Sequence, residues 1–60
     1  TRYRYCTIDG KRLATEQSVN PVSELHMRRY LEDLGLPAGI YLVHGIHNNS
    51  PIIRKIHLNR

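Results

Sequence analysis

The chain has 60 residues, of which 40% are hydrophobic, and it carries a net charge of +4. A chain of this length forms one domain at most, and such a small fold buries only about 60% of the surface that its unfolded form exposes. Its single cysteine excludes an intrachain disulfide, no run approaches the roughly 20 apolar residues that span a bilayer, and no charged and then apolar leader opens the chain.

The first residues alternate in character and predict a strand near residues 2–8. Its two faces hold different side chains, with Tyr3, Tyr5 and Thr7 on one and Arg2, Arg4, Cys6 and Ile8 on the other. This period of two is typical of strands. Asp9-Gly10 tolerates positive φ and closes tight hairpins. Residues 11–17 are therefore expected to return as a second strand, with Leu13 and Thr15 on one face.

The stretch from Glu24 to Leu34 fits two interpretations. Its apolar residues follow helical spacing (i, i+3, i+4, i+7) at Met27, Tyr30, Leu31 and Leu34. Ser23 would cap that helix, and Gly35 and Pro37 would end it. The alternative is a strand near residues 25–31, with Leu25, Met27 and Leu31 on one face and Arg29 interrupting it. Periodicity alone favours the helix.

The last third of the chain predicts a second hairpin. Ile40 to Val43 is an apolar run of strand formers that Gly45 is expected to break, which gives a strand near residues 39–45. Residues 47–51 form a polar turn, and residues 51–58 alternate again. Ile52, Arg54, Ile56 and Leu58 would share one face of this strand, and Ile53, Lys55 and His57 the other. With two hairpins, the fold class is mainly β.

No residue pattern in the chain predicts catalysis, a cofactor or a metal. The histidines (His26, His44, His47 and His57) are far apart, although His44 and His57 could face each other across the second hairpin. Cys6 lies within a strand and is expected to be a small buried hydrophobe. The serines lie in loops, the carboxylates form no acid–base pair, and the glycines are isolated turn residues. We expect that the protein is not an enzyme.

Positive charge permits nucleic acid, anionic membranes or acidic partners, and does not choose among them. The basic residues are scattered: Arg2, Arg4, Lys11, Arg12, Arg28, Arg29, Arg54, Lys55 and Arg60. If Glu24 to Leu34 is a helix, Arg28 and Arg29 on its outer face could contact phosphates.

Two motifs and a final strand follow one another in a set order. They are Thr7 to Leu13 with Asp9-Gly10-Lys11 inside it, Leu36-Pro37-Ala38-Gly39-Ile40-Tyr41, and Lys55-Ile56-His57-Leu58. Gly10 supplies positive φ at a turn, Pro37 fixes φ and stops the preceding element, and Tyr41 is an amphipathic core anchor. Across nearly the whole chain, this order resembles the C-terminal sorting domain of type IX (Por) secretion substrates.

The resemblance implies an immunoglobulin-like antiparallel β-sandwich whose N-terminal strands are missing here, and it favours a strand over residues 25–31. It implies a secretion signal at the end of a larger exported protein, with an upstream cargo domain. The outer-membrane translocon and its shuttle proteins would recognise that signal, and a sortase would remove it. The protein would pass through the periplasm to the cell surface or be secreted, without binding nucleic acid. The residues implied are Gly10, Lys11, Leu36, Pro37, Gly39, Tyr41 and Lys55.

Two alternatives stay open at the level of sequence. One is a small basic nucleic-acid-binding domain with a central helix, and the other is a purely structural β-sandwich module of a larger extracellular protein. A helix over Glu24 to Leu34 would favour the first of these, because the sorting-domain and sandwich interpretations expect a strand there.

Overall fold

A computed structural model describes residues 1–59, which form four strands and one helix. The elements are β1 (Arg2–Thr7), β2 (Arg12–Gln17), α1 (Glu24–Asp33), β3 (Gly39–His47) and β4 (Ser50–Leu58). The strands form one antiparallel sheet in the order β2-β1-β3-β4. The mainly β class is confirmed. Within residues 1–59, a helix and not a second sheet packs on this sheet. Arg60 lies outside the described residues.

The first hairpin forms where Asp9-Gly10 predicted it. Gly10 has φ +96° and its amide donates to the carbonyl of Thr7 at 2.9 Å. The Thr7 hydroxyl donates to the carboxylate of Asp9 and, with nearby backbone hydrogen bonds, lowers the pKa of Asp9. The hairpin thus combines the positive φ of a glycine with a side chain that bonds its own turn.

A β-bulge changes the faces of β2. The register pairs Tyr5 with Ala14 but Cys6 with Arg12, so that Leu13 is an extra residue. Leu13 packs against the buried core, whereas Thr15 lies opposite Arg4 on the other side of the sheet. The prediction that Leu13 and Thr15 share a face was therefore wrong, because strict alternation does not hold through a bulge.

Residues 24–33 form a helix, and the strand expected near residues 25–31 was wrong. Ser23 caps the helix by accepting a hydrogen bond from the amide of His26 at 3.1 Å. Leu34 is the C-cap, and Gly35 follows it with φ +73°. Met27 and Leu31, four residues apart, are both buried against the sheet. Local periodicity and caps decided this element, and the strand implied by the family resemblance did not form.

Gly45 lies inside β3 and does not end it, contrary to the expected boundary at residue 45. A Cβ atom on Gly45 would lie 2.7 Å from Cδ1 of Tyr3, which is the residue opposite it on β1. The ring of Tyr3 therefore occupies the space of the missing side chain. The strand continues to His47 and turns at Asn48-Asn49, whose φ values of 50° and 65° fit a two-residue type I′ hairpin.

The core lies between α1 and one face of the sheet. Its buried residues are Tyr3, Tyr5, Met27, Leu31, Tyr41, Val43, Ile56 and Leu58. On β4, Ile56 and Leu58 face this core and Ile52 packs at its margin, as the alternation predicted. No helix within residues 1–59 has the length and apolar character needed to cross a membrane.

Candidate recognition surface

The side of the sheet away from α1, which we call the open face, has no layer over it in the described chain. Cross-strand partners share a face, and the register therefore arranges the open face in rows that run from β2 to β4. The rows are Arg12-Cys6-Leu42-Lys55, Thr15-Arg4-His44-Ile53 and Gln17-Arg2-Ile46-Pro51. Most of these side chains are exposed, although Cys6 is 5% exposed and so is buried, as expected.

Positive and apolar side chains separate across these rows. The β1–β2 half of the face carries Arg2, Arg4 and Arg12. The β3–β4 half carries mainly aliphatic side chains (Leu42, Ile46 and Ile53), with His44 opposite Arg4. Ile46 is 61% exposed and Ile53 is 60% exposed. The face thus combines a cationic half with an aliphatic half, and Lys55 adds a further cation at the β4 edge.

The carboxylates all lie elsewhere. Asp9 is in the first turn, and α1 carries Glu24, Glu32 and Asp33. Glu16 points to the helix side, where it accepts from the hydroxyl of Tyr5 at 2.7 Å and contacts Nε2 of His26 at 2.7 Å. Among residues 1–59, this contact with His26 is the only pair between a basic side chain and a carboxylate within 4.0 Å. The cations of the open face have no carboxylate partner in the described chain.

Three arginines converge near the middle of the cationic half. A shallow depression is bordered by Arg2, Arg4 and Arg12 together with His44. A second depression beside it is again bordered by Arg4, Arg12 and His44, with Cys6 at its floor. Glu16 also borders the first depression, but Tyr5 and His26 hold its carboxylate on the opposite side of the sheet. Arg4 is therefore the centre of a cluster that can accept anionic groups.

The helix side contains a contrasting polar network around Tyr5. Its ring stacks on Tyr30 with centroids 4.5 Å apart, and its hydroxyl donates to Glu16. Burial, and then the hydrogen bond and the charge of Glu16, raise the pKa of Tyr5 above its ordinary value of 10.0. The phenol of Tyr5 therefore stays neutral. Through Glu16 and His26, this network connects α1 to β2.

The histidines do not gather. The register places His44 opposite Ile53 and His57 opposite Ile40, so the expected facing of His44 and His57 was wrong. Within residues 1–59, no group of three histidine, cysteine or carboxylate side chains is close enough to hold a metal ion. His57 lies four positions beyond Ile53 along β4, so the two histidines would face each other only in a hairpin whose register is shifted by four residues.

The motif residues mostly shape the fold. Gly10 makes the first turn, and Leu36 packs at the margin of the core. The hydroxyl of Tyr41 donates to the carbonyl of Pro37 at 2.6 Å and so fixes the segment that leads into Gly39, the first residue of β3.

Lys11 and Lys55 are the exposed charged residues of the motif set, and Gly10 and Pro37 are exposed as well. Lys11 is in the turn beyond β1, and Lys55 is on the edge strand β4, opposite Leu42. The structure therefore does not bring the motif residues into one site. The open-face arginines, which the sequence left as scattered charge, form the denser cluster. The alternation of β1 already placed Arg2 and Arg4 together, whereas Arg12 needed the hairpin register.

Comparisons of the chain with protein-family models, with curated proteins and with solved structures give no match. Function is therefore inferred from the open face and from the sequence motifs.

Proposed function

We propose that this domain is a non-catalytic recognition module, and that other proteins bind its open face. The observation that carries the proposal is a face that residues 1–59 leave uncovered, with arginines that have no carboxylate partner among these residues in one half and exposed isoleucines in the other. Arginine is enriched at protein interfaces, and an exposed apolar patch with a polar border marks an interaction site. Exposed aliphatic area supplies affinity on burial, and the arginines supply orientation and selectivity.

The particular role that we propose is a secretion signal of the type IX sorting class. The order of the three motifs along the chain supports this role. Two of the motifs also shape the fold, since Gly10 forms the first turn and Tyr41 bonds Pro37 before β3. The outer edge of β4 adds a second feature, because nine residues of backbone at the edge of the sheet can pair with a strand of a receptor.

The sandwich implied by the same resemblance would require a second sheet over the open face. Covering Arg2, Arg4 and Arg12 with an apolar sheet would take their charges out of water, at a penalty of several kcal/mol for each unpaired ion. The open face therefore favours a covering layer that brings carboxylates. Upstream strands of a longer precursor meet this condition only if they are acidic.

A reporter fusion tests the sorting role. The reporter is placed upstream of the chain and expressed in a bacterium with a type IX system and in a matched strain without the translocon. We expect surface display only in the first strain. Tyr41→Phe, which removes the hydrogen bond to Pro37, should lower display, whereas Val19→Ala, at a 90% exposed loop position, should not. Equal display in the two strains would contradict the sorting role.

Nucleic-acid binding is the second candidate, because α1 forms where this alternative expects a helix and because the open face carries no carboxylate within residues 1–59. On α1, the carboxylates Glu24, Glu32 and Asp33 lie on the same helix as Arg28 and Arg29 and would repel phosphates there. Phosphates would instead contact Arg2, Arg4 and Arg12. Three such contacts to a single strand predict a slope of about −2 for log K against log salt. Fluorescence anisotropy with a labelled oligonucleotide measures this slope, and a lack of binding at low salt would exclude the candidate.

A further inference from the structure

We infer that the partner of the open face is a protein segment that presents carboxylates to the β1–β2 half and aliphatic side chains to the β3–β4 half. This inference rests on the proposed recognition role and names the chemistry of the partner. The charge pattern carries it: the open-face cations lack carboxylates within the described chain, and an acidic partner would neutralise them.

The positions of the tyrosines favour protein over nucleic acid. Tyr3, Tyr5 and Tyr41 are buried on the helix side, and Tyr30 stacks on Tyr5 there. Within residues 1–59, the open face therefore offers a base no tyrosine ring and only the imidazoles of His44 and His57, and stacking on aromatic rings is a main source of affinity for single strands. Reading of a duplex uses an element that enters a groove, but the helix of this domain lies on the opposite side of the sheet.

The aliphatic half of the open face also favours a protein partner over nucleic acid. Ile46 and Ile53 are each about three-fifths exposed, and a phosphate backbone would leave them uncovered. A segment with aliphatic side chains would bury them, with a gain of about 25 cal/mol for each Å² of apolar area. A second copy of this chain fits less well, because its own open face brings more cations and no carboxylates to the contact.

The spacing on β1 defines the register of such a partner. Arg2 and Arg4 are two residues apart on one strand, which places them about 6.6–6.8 Å apart along the sheet. An extended partner has the same repeat, so carboxylates at alternate positions can each meet one of these arginines. Arg12 lies across from Cys6, the next residue on this face of β1, and extends the row of cations.

Nuclear magnetic resonance titration of the isotopically labelled 60-residue chain tests the inference. The probe is a soluble hairpin peptide with alternating glutamates on one strand and alternating valines on the other, and its counterpart has glutamine for glutamate. We expect shifts confined to the open-face residues of the four strands, and roughly tenfold weaker binding of the glutamine peptide. A single-stranded oligothymidylate is the third probe.

Two variants locate the contact. Arg4→Gln should weaken binding of the glutamate peptide roughly tenfold. Arg29→Gln removes the same charge from an exposed position on α1 and should leave binding unchanged. Backbone spectra of both variants check that the fold is kept. Equal binding of the two peptides, or tighter binding of the oligothymidylate at the same residues, would overturn the inference.

The reporter assay separates this inference from the sorting role. Surface display of Arg4→Gln is measured beside its peptide binding. If the variant binds the glutamate peptide more weakly but its translocon-dependent display is undiminished, this face is not used in sorting. If display never requires the translocon but the glutamate peptide binds as expected, the sorting role fails and the acidic partner stands.

Discussion

The two faces of the sheet use the same four strands and differ in how their polar groups are satisfied. On the helix side, each tyrosine hydroxyl has a hydrogen-bond partner within the chain: Val22, Glu16, Thr15 and Pro37 for Tyr3, Tyr5, Tyr30 and Tyr41. On the open face, the arginines and Lys55 have no carboxylate partner within residues 1–59. The helix side pairs its tyrosine hydroxyls internally, although Nε of Arg28 on α1 is buried without a hydrogen-bond partner. The open face has unused capacity for charge and apolar contact. Substitutions on the two faces should therefore affect different properties.

The largest expected effect is at Leu31, a residue of α1 whose side chain is fully buried against the sheet. Leu31→Ala should cost about 2–5 kcal/mol, because it removes apolar contacts and leaves a cavity. Domains below about 70 residues rarely have more than 3–5 kcal/mol in total, so the variant should lose its cooperative transition. Urea unfolding followed by circular dichroism measures this. Leu34→Ala, at a 41% exposed position of the same helix end, is the control; similar curves for both variants would contradict this account of the core.

Gly45→Ala should be next in size, at about 1–3 kcal/mol, because the new Cβ would overlap the ring of Tyr3. Combining it with Tyr3→Leu should make the second change less costly, since the smaller side chain leaves room. A double-mutant cycle of unfolding free energies measures the coupling. Additive effects would show that Gly45 is present for some reason other than the Tyr3 ring.

Tyr5→Phe should cost about 1 kcal/mol at neutral pH through the lost hydrogen bond to Glu16. The substitution should change the stability more at alkaline pH. Because burial and Glu16 raise the pKa of Tyr5 above 10.0, the unfolded phenol ionises first, and stability falls as pH rises above that value. The variant lacks this group, so its melting temperature should fall less between neutral pH and about pH 11. Parallel curves for the two proteins would contradict the raised pKa.

The smallest effect is expected on the open face. Ile53→Ala, at a 60% exposed site, should change stability by less than about 0.5 kcal/mol. Ile56→Ala, three residues along the same strand but fully buried, should cost about 2–5 kcal/mol. Thermal unfolding of the two variants compares the faces directly. A large loss for Ile53→Ala would mean that the open face contributes to the core and is not reserved for a partner.

Much of the fold follows from local patterns. The alternation in β1 and β4, the turn at Asp9-Gly10 and the polar turn at Asn48-Asn49 were each predicted in place. The helical spacing of Met27 and Leu31 was equally clear, but the family resemblance favoured a strand. For this segment, helical spacing of apolar residues with matching caps predicted the secondary structure better than a family motif located elsewhere in the chain.

The candidate site was harder to predict than the fold. Arg2 and Arg4 share a face by simple alternation, but the place of Arg12 depends on a bulge at Leu13, which alternation cannot reveal. The closeness of His44 to Arg4 depends on the pairing of β1 with β3, which are separated in the chain by β2 and α1. The cluster is therefore a product of long-range register.

The sequence by itself determined the two hairpins, the helical spacing of α1 and the faces of the residues in β1 and β4, because these depend on the rotation per residue and on turn chemistry within a few positions. Only the tertiary structure decided that α1 covers the tyrosine face, that Gly45 yields its space to Tyr3, and that three arginines meet beside the aliphatic half. Those outcomes depend on which strands become neighbours and in which register, and that choice minimises the free energy of the whole sheet and its helix together.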